Sequence, residues 1–176
     1  MKPGIIVMSE LRGPIAERVV ALQRRFDPRM ANELPPHVTI AGSSGMGPIL
    51  PSTTDAQLRD ALAKVVAATP PITVVLQAPL QFMQSNVVTM QIDPNGPIRA
   101  LHERIKTSGL SFEPARFTFT PHLTLSFYPE LSRDQVRELR GFRVNEPLII
   151  SAIQAYRAVD ITRTLKIADL ELIGDA

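Results

Sequence analysis

The chain has 176 residues, of which 44% are hydrophobic and 20% are charged, and its formal net charge is +2. This size and balance are typical of one globular domain, or of two closely packed lobes with a shared core, that needs no covalent staples. Since the chain contains no cysteine, disulfides, thiolate zinc sites, iron–sulfur clusters and a cysteine nucleophile are excluded. The small charge disfavours binding of long nucleic acids through a basic surface and favours a short phosphate group held locally.

Hydropathy gives no sign of a membrane segment or of export. The apolar run near the N-terminus ends at Glu10 and is too short for a signal sequence. The other apolar runs have the length of strands rather than of membrane-spanning helices. We therefore expect a cytoplasmic protein with no membrane partner.

Hydrophobic periodicity predicts alternating strands and helices along the chain, because strands repeat every two residues and helices every 3.6. In the first part, the patterns predict a strand over 4–11, a helix over 14–26, a strand over 37–41, a loop over 42–52 and a helix from 54 to 68. In the rest, they predict antiparallel strands over 72–80 and 86–92, a helix over 97–108, a long strand over 116–127, a helix over 132–139, and strands over 147–158 and 164–172.

The two halves of the predicted element order resemble each other. Each half contains a helix, then a strand with the pattern Pro, His, apolar, Thr, apolar, and then another helix. This weak duplication predicts an α+β fold with two lobes, in which antiparallel sheets with flanking helices surround a central cleft. We expect residues 1–176 to form this single two-lobed domain.

Two of the three histidines lie in copies of that pattern, at residues 36–40 and 121–125. Side chains alternate between the two faces of a strand, so His37 shares a face with Thr39. His122 shares a face with Thr124 for the same reason. The apolar residues between them point the other way, into a core. The pattern therefore predicts two outward-facing His–Thr pairs.

Two histidines and two threonines suit phosphoryl chemistry. One imidazole takes a proton from the attacking water or hydroxyl and the other gives a proton to the leaving oxygen, since the ordinary pKa of histidine is about 6.5. Threonine hydroxyls and backbone N–H groups hold the non-bridging oxygens as charge develops. This scheme requires no metal ion and no cofactor, and it leaves open which histidine is the base.

Two other interpretations compete with catalysis. A single strand histidine is more often structural than catalytic, but the repetition of the whole pattern favours a function. Histidine is also a zinc ligand, yet these two come from distant strands and have no obvious carboxylate partner. We therefore predict catalytic histidines and no metal site.

The motifs at 36–40 and 121–125, separated by a helix–strand–strand–helix span, resemble the pattern of the 2H phosphoesterase superfamily, which includes the 2′-5′ RNA ligase-like proteins. The resemblance covers nearly the whole chain in element order and motif placement. It implies a bilobal α+β fold, and hydrolysis or, in some members, ligation at 2′-5′ or 2′,3′-cyclic phosphate linkages. It also implies RNA ends, cyclic nucleotides or cyclic ADP-ribose phosphate derivatives as substrates, and it carries over to His37, Thr39, His122 and Thr124.

Further residues are candidates for substrate binding. Arg116 has the strand parity of His122 if the predicted strand extends back to it, and would then reach a substrate phosphate. Arg157, on the penultimate strand, is a similar candidate. Tyr128 and Tyr156 are candidates for stacking on a base.

Two phenylalanines and the third histidine receive structural interpretations. Phe119 and Phe127 are further candidates for stacking on a base, but parity places them opposite His122, which favours the core. His102 lies among charged residues in a predicted helix, so we expect it at the surface. The loop over 42–52 follows the first motif strand and is a candidate for a mobile rim of the cleft.

Together these arguments predict a metal-independent phosphodiesterase that hydrolyses the 2′,3′-cyclic, or a related cyclic, phosphate of RNA ends or nucleotides. Its expected partner is an RNA end or a small cyclic nucleotide. One alternative is a 2′-5′ RNA ligase that uses the same groups in reverse. Another is a non-catalytic module that binds RNA ends or nucleotides.

Overall fold

The computed structural model describes residues 4–82, 85–158 and 164–175. Its helices are α1 (Gly13–Phe26), α2 (Pro28–Glu33), α3 (Asp55–Ala67), α4 (Ile98–Lys106) and α5 (Arg133–Gly141). Its strands are β1 (Ile5–Glu10), β2 (His37–Ala41), β3 (Ile72–Val74), β4 (Leu80–Gln81), β5 (Val88–Gln91), β6 (His122–Ser126), β7 (Leu148–Ile150), β8 (Ala152–Ala158) and β9 (Thr164–Glu171). No helix among the described residues combines the length and the apolar character that a membrane crossing requires.

The strands form two antiparallel sheets, one of seven strands and one of two. The larger sheet has the order β4-β5-β6-β2-β1-β8-β9, and the smaller sheet pairs β3 with β7. With the flanking helices, this arrangement confirms the predicted α+β class. The motif strands β2 and β6, one from each half of the chain, are neighbours within the larger sheet.

One face of the larger sheet is buried against the helices. Val38 and Ile40 in β2, and Leu123 and Leu125 in β6, have no solvent exposure. They belong to one hydrophobic cluster with the apolar stripes of α1, α3 and α4. Burying a side chain of this size stabilises the fold by roughly 1.5–3 kcal/mol. These four residues therefore fix which face of the motif strands is inward, and the histidines and threonines between them face outward.

The predicted helices over 54–68 and 132–139 begin where expected, and a side chain caps each start. Thr54 caps α3, where its hydroxyl accepts a hydrogen bond from the backbone N–H of Gln57 at 3.2 Å. Ser132 caps α5 in the same way through Gln135, at 3.3 Å. In both helices the glutamine Oε1 accepts a hydrogen bond from the backbone N–H of the capping residue, so a second backbone donor is satisfied.

The antiparallel pair predicted over 72–80 and 86–92 is only partly correct. Ile72–Val74 pairs with β7 in the smaller sheet, and only Leu80–Gln81 pairs with β5. Pro79, which has no backbone N–H to donate, interrupts the run directly before β4. The strand predicted over 147–158 likewise divides at one residue, because β7 pairs with β3 whereas β8 lies between β1 and β9.

The first half of the strand predicted over 116–127 is wrong, since β6 begins only at His122. The preceding residue, Pro121, has no backbone N–H with which to extend the ladder. Two of the alternating residues before it bond to the loop that follows β2, Phe117 through its carbonyl oxygen and Thr120 through its N–H.

That loop was a candidate for a mobile rim, and the structure ties it down. Leu50 N–H donates to the carbonyl oxygen of Ser111 at 2.9 Å, and Gly45 N–H donates to that of Phe117 at 2.8 Å. Gly45 has a backbone φ of +74°, which glycine adopts without strain. The loop over 42–52 is therefore held in place by backbone hydrogen bonds to the segment before β6.

The surface position predicted for His102 is wrong. Its side chain is 1% exposed, and its Nδ1 lies 2.7 Å from the carbonyl oxygen of Ile40 in β2. The ring stacks on Phe119, with centroids 3.8 Å apart. His102 follows Ile98 by four residues and Leu101 by one, so it belongs to the buried stripe of α4 despite its charged neighbours.

Because His102 is buried, the stability of the fold should depend on pH. Burial lowers the pKa of His102 below its ordinary value. The unfolded chain therefore binds a proton first as the pH falls below about 6.5, and the free energy of unfolding decreases from that point downward. Burial also lowers the pKa of His37, which acts in the same direction. Urea unfolding between pH 7.5 and 5.5 measures the effect.

A non-titrating variant, His102→Gln, is the control for this prediction. The decrease in unfolding free energy across the same pH range should be smaller in the variant than in the wild type. An equal decrease in both proteins would assign the pH dependence to other groups.

Candidate active site

The four motif residues form a square on the open face of the large sheet. Antiparallel pairing of β2 and β6 sets Val38 opposite Leu123. One residue further in each direction, this register places His37 opposite Thr124 and Thr39 opposite His122. The two histidines thus lie on the diagonal, with Cα atoms roughly 7–8 Å apart. This spacing leaves room for one phosphate group between the imidazoles.

Both histidines are held in the same way. Nδ1 of His37 lies 2.8 Å from the carbonyl oxygen of Pro35, and Nδ1 of His122 lies 2.8 Å from that of Thr120. A carbonyl oxygen can only accept, so each Nδ1 carries the hydrogen. Nε2 is therefore the nitrogen of each neutral ring that carries no hydrogen and is able to accept one. The acceptor is two residues before the histidine in each case, which is a local consequence of the repeated motif.

The surroundings of the two rings differ. Burial lowers the pKa of His37, assisted by the nearby His122, while the carbonyl of Pro35 and the carboxylate of Glu10 oppose this effect. His122 instead meets the ring of Phe82 edge-on, with centroids 5.7 Å apart. One histidine therefore has an acidic neighbour and the other an aromatic one.

An open pocket of about 810 Å³ adjoins the second motif. His122 and Thr124 line it, whereas His37 and Thr39 are not among its lining residues. Its remaining walls come from the rim loop, from the segment before β6 and from the ends of β4 to β6. They comprise Ser43, Ser44, Phe82, Ser85, Val87, Arg116, Phe117, Thr118, Thr120 and Phe127.

Among the candidate substrate-binding residues, Arg116 lies in this pocket. It belongs to the irregular segment before β6 rather than to the strand, so strand parity is not what positions it. Phe117 and Phe127 also line the pocket and are 71% and 52% exposed. The core position predicted for Phe127 is therefore wrong, while Phe119 is buried as predicted.

Arg157 lies elsewhere in the structure. Its guanidinium donates to the carbonyl oxygens of Pro51 and Thr53 and to the carboxylate of Asp55, at 2.8–3.0 Å. Arg157 thereby stabilises the start of α3, and it is not among the residues that line the pocket.

The two tyrosines are also engaged within the protein. The Tyr128 hydroxyl donates to the carboxylate of Glu33, and the guanidinium of Arg29 lies 3.9 Å from its ring centroid. The Tyr156 hydroxyl donates to Glu10 at 2.5 Å. Neither tyrosine is among the residues that line the pocket.

Several residues of the site were missed by the sequence argument. The Ser44 hydroxyl accepts a hydrogen bond from the N–H of Thr120 at 3.0 Å, so the rim loop and the residues before His122 are joined directly beside the pocket. Ser43 and Phe82 line the same pocket. Only the position of the rim loop directly after β2 gave a signal for the serines, and nothing local in the sequence marks Phe82. Within the described residues, no group of three or more His, Asp or Glu could hold a metal ion.

Comparison with known proteins adds three findings. The sequence profile of the 2′-5′ RNA ligase superfamily matches residues 11–155. A protein of Geobacillus kaustophilus named "Putative phosphoesterase" is 29% identical over 130 residues, which cover 71% of this chain and 68% of that protein. LigT of Escherichia coli, crystallised with 3′-AMP, is similar in fold, with a TM-score of 0.56 and 18% identity over 97% of this chain and 98% of that one.

Proposed function

Since the chain belongs to the 2′-5′ RNA ligase superfamily, we propose that it is a metal-independent phosphodiesterase that opens a 2′,3′-cyclic phosphate on a nucleotide or an RNA end. The observation that carries the proposal is the diagonal pair of His37 and His122, each with Nδ1 bound to a carbonyl oxygen and Nε2 left for proton transfer. A structural role for either ring would not require this matched orientation on the open face of the sheet.

The two imidazoles supply the proton transfers that hydrolysis of a cyclic phosphodiester needs. Water attacks phosphorus, and the bond from phosphorus to one ribose oxygen breaks. One Nε2 takes the proton that the water loses, and the other Nε2, protonated at the start, gives its proton to the ribose oxygen. The product is a nucleoside monophosphate, and exchange with solvent restores both rings.

The threonines and Arg116 are placed to bind the phosphate. Thr39 and Thr124 each face one histidine across the strand pair, so their hydroxyls flank the position between the imidazoles. Arg116 contributes a positive charge to the same pocket. Such donors stabilise the negative charge that increases on the non-bridging oxygens in the transition state.

The pocket beside His122 suits a nucleoside better than a long RNA. Its volume of about 810 Å³ is in the range of small-molecule sites. Phe82, Phe117 and Phe127 provide apolar faces on which a base can stack, and serine hydroxyls provide polar contacts. The complex of the fold relative LigT with 3′-AMP is consistent with a nucleotide of this size.

Replacing Arg116 with alanine should weaken substrate use without destabilising the fold. Because hydrogen bonds to charged groups contribute about 1.5–3 kcal/mol, kcat/KM should fall roughly 10- to 100-fold. Arg133→Ala on α5 is a matched control, since that side chain is outside the pocket. Steady-state kinetics on one cyclic nucleotide measures both variants. Equal activity of Arg116→Ala and wild type would remove Arg116 from the site.

A substrate panel tests the proposed function itself. It comprises the four nucleoside 2′,3′-cyclic phosphates, a 3′,5′-cyclic nucleotide, a 2′-5′ dinucleotide, and an RNA with a 2′,3′-cyclic end. We expect turnover of the 2′,3′-cyclic compounds, with the product assigned as the 2′- or 3′-phosphate by phosphorus NMR. Joining of RNA ends without hydrolysis would favour a ligase, and binding without turnover of any member would favour a non-catalytic module.

A further inference from the structure

Glu10, the last residue of β1, lies beside the first motif histidine. In the β1–β2 pair it is directly opposite His37, so both side chains are on the same face of the sheet. Directly opposite side chains have Cβ atoms about 4.5–5.5 Å apart. The strand of His37, β2, lies between β1 and β6. Glu10 is therefore close to His37 on one side, and His122 lies on the other side.

The carboxylate of Glu10 is held from the side away from His37. Its Oε1 accepts a hydrogen bond from the Tyr156 hydroxyl at 2.5 Å, and Lys166 Nζ lies 2.6 Å from the same oxygen. Tyr156 belongs to β8 and Lys166 to β9, and neither strand is next to β2. Burial and the adjacent carboxylate raise the pKa of Tyr156, so its hydroxyl remains a donor.

A second layer fixes this arrangement. The backbone N–H of Glu10 donates to Gln154 Oε1 at 2.9 Å, and Gln154 Nε2 donates to Asp169 at 2.7 Å. Asp169 also lies 3.7 Å from Lys166 and 3.6 Å from Arg12. Gln154 is completely buried. The side chain of Glu10 itself is only 16% exposed, so its charge is poorly screened by water.

The two histidines therefore differ in what surrounds them. The nucleoside-sized pocket lies on the side of His122, and the carboxylate lies on the side of His37. In phosphoryl transfer the attacking and leaving oxygens are roughly in line on opposite sides of phosphorus. If the nucleoside occupies the pocket, its leaving ribose oxygen is beside His122 and the attacking water is beside His37.

We propose that Glu10 is a positioning residue that stabilises the imidazolium of His37, and that His37 is consequently the general base while His122 is the general acid. This inference rests on the proposed function for the reaction, but the position of Glu10 directly opposite His37 does not. Water attacks phosphorus and gives its proton to His37 Nε2, and the charge that appears on the ring is balanced by Glu10. His122 gives its proton to the ribose oxygen as the phosphorus–oxygen bond breaks.

The balance of groups around His37 fits the role of a base. Burial and the neighbouring His122 lower its pKa, so the resting ring is neutral near pH 7 and ready to accept a proton. The charged or titratable groups that act on its pKa are Glu10 on β1 and His122 on β6, and Lys166 on β9 pairs with Glu10. Glu10 acts on the charged ring, as a carboxylate does when it supports an imidazolium in hydrolases.

Histidine NMR tests the influence of Glu10 on His37 without any need for turnover. The chain has only three histidines, so their ring signals can be assigned from His→Gln variants. In Glu10→Gln, the titration of His37 should shift to lower pH than in the wild type, while that of His102 stays in place. Asp134→Asn is the control, because it removes an exposed carboxylate on α5 that lies outside the network around Glu10. An unchanged His37 titration in Glu10→Gln, or an equal shift in Asp134→Asn, would overturn the inference.

Kinetics then test the assignment of the base. In Glu10→Gln the ascending limb of the pH–rate profile should move to lower pH and kcat should fall about 10-fold, which corresponds to about 1.4 kcal/mol of lost stabilisation. Glu10→Asp, which keeps the charge, should retain more activity.

Catechol cyclic phosphate distinguishes the general acid from the general base, because its phenolate leaving group departs without protonation by an acid. His122→Ala should lose far less activity on this ester than on a cyclic nucleotide, whereas His37→Ala should lose as much on both.

The outcomes for the two proposals are distinguishable. Wild-type protein that turns over no cyclic phosphate would defeat the proposed function and leave the NMR result standing. Normal wild-type turnover with an unaltered Glu10→Gln profile would defeat the role of Glu10 alone. A larger loss for His37→Ala on the nucleotide than on the catechol ester would reverse the assignment of base and acid.

Discussion

His122→Ala and His37→Ala should each lower kcat/KM for a 2′,3′-cyclic nucleotide by about 10²- to 10⁴-fold, the range that general acid–base catalysis contributes. In the proposed mechanism each variant removes one of the two Nε2 atoms that transfer protons, while the threonines and Arg116 still bind the phosphate. Because both steps occur in one reaction, the double variant should be little worse than the more damaged single variant.

The fold should tolerate both changes. Each ring is partly exposed and makes one hydrogen bond to a nearby carbonyl, so its loss costs about 1 kcal/mol of unfolding free energy. Urea unfolding of the three proteins, performed beside the kinetics, separates the two effects. Full activity in either single variant, or a loss of activity that follows a loss of folded protein, would contradict the catalytic assignment.

Asp27→Ala should destabilise the protein by about 3–5 kcal/mol, the largest effect on stability that we predict for a single residue. Asp27 lies between α1 and α2 and is 1% exposed. Its Oδ1 accepts the N–H of Met30 at 3.1 Å, and its Oδ2 accepts those of Phe127 and Tyr128 at 2.7 and 2.9 Å. Alanine would leave three backbone donors without a partner, at a junction that also fixes the end of β6.

Equilibrium urea unfolding measures this loss. Asp134→Ala is the control, since that carboxylate is 85% exposed and makes only a surface ion pair with Arg137, so its removal should change stability by less than about 0.5 kcal/mol. Asp27→Asn retains one acceptor oxygen and should fall between the two. A cost below about 1 kcal/mol for Asp27→Ala would show that water replaces the carboxylate.

The local sequence predicts those parts of the fold that depend on periodicity and capping. The alternation in the two motifs correctly gives β2 and β6 and the face on which His37 and His122 lie. It fails for the residues before His122, since an alternating segment can pair with a loop as well as with a strand, and only long-range contacts decide between these. For His102, the apolar stripe of the helix predicts the buried position that the structure shows, whereas the charged residues around it favoured a position at the surface.

In the candidate site, too, local periodicity predicts some residues and long-range contacts position the others. The motif residues can be found because the repeat places them on one face of each strand. The pocket walls come from Phe82, Phe117 and Phe127, which lie outside the strands, and no period marks such residues. The position of Glu10 opposite His37 depends on the register between β1 and β2. These strands are far apart in sequence, so no local pattern predicts their register.

The most direct test of the two-histidine mechanism is turnover of 2′,3′-cyclic nucleotides in excess EDTA by the wild type and by the His37→Ala, His122→Ala double variant. We expect the wild type to retain its rate in EDTA and the folded double variant to lose nearly all of it. Wild-type activity that EDTA abolishes, or activity that persists in the double variant, would contradict the mechanism.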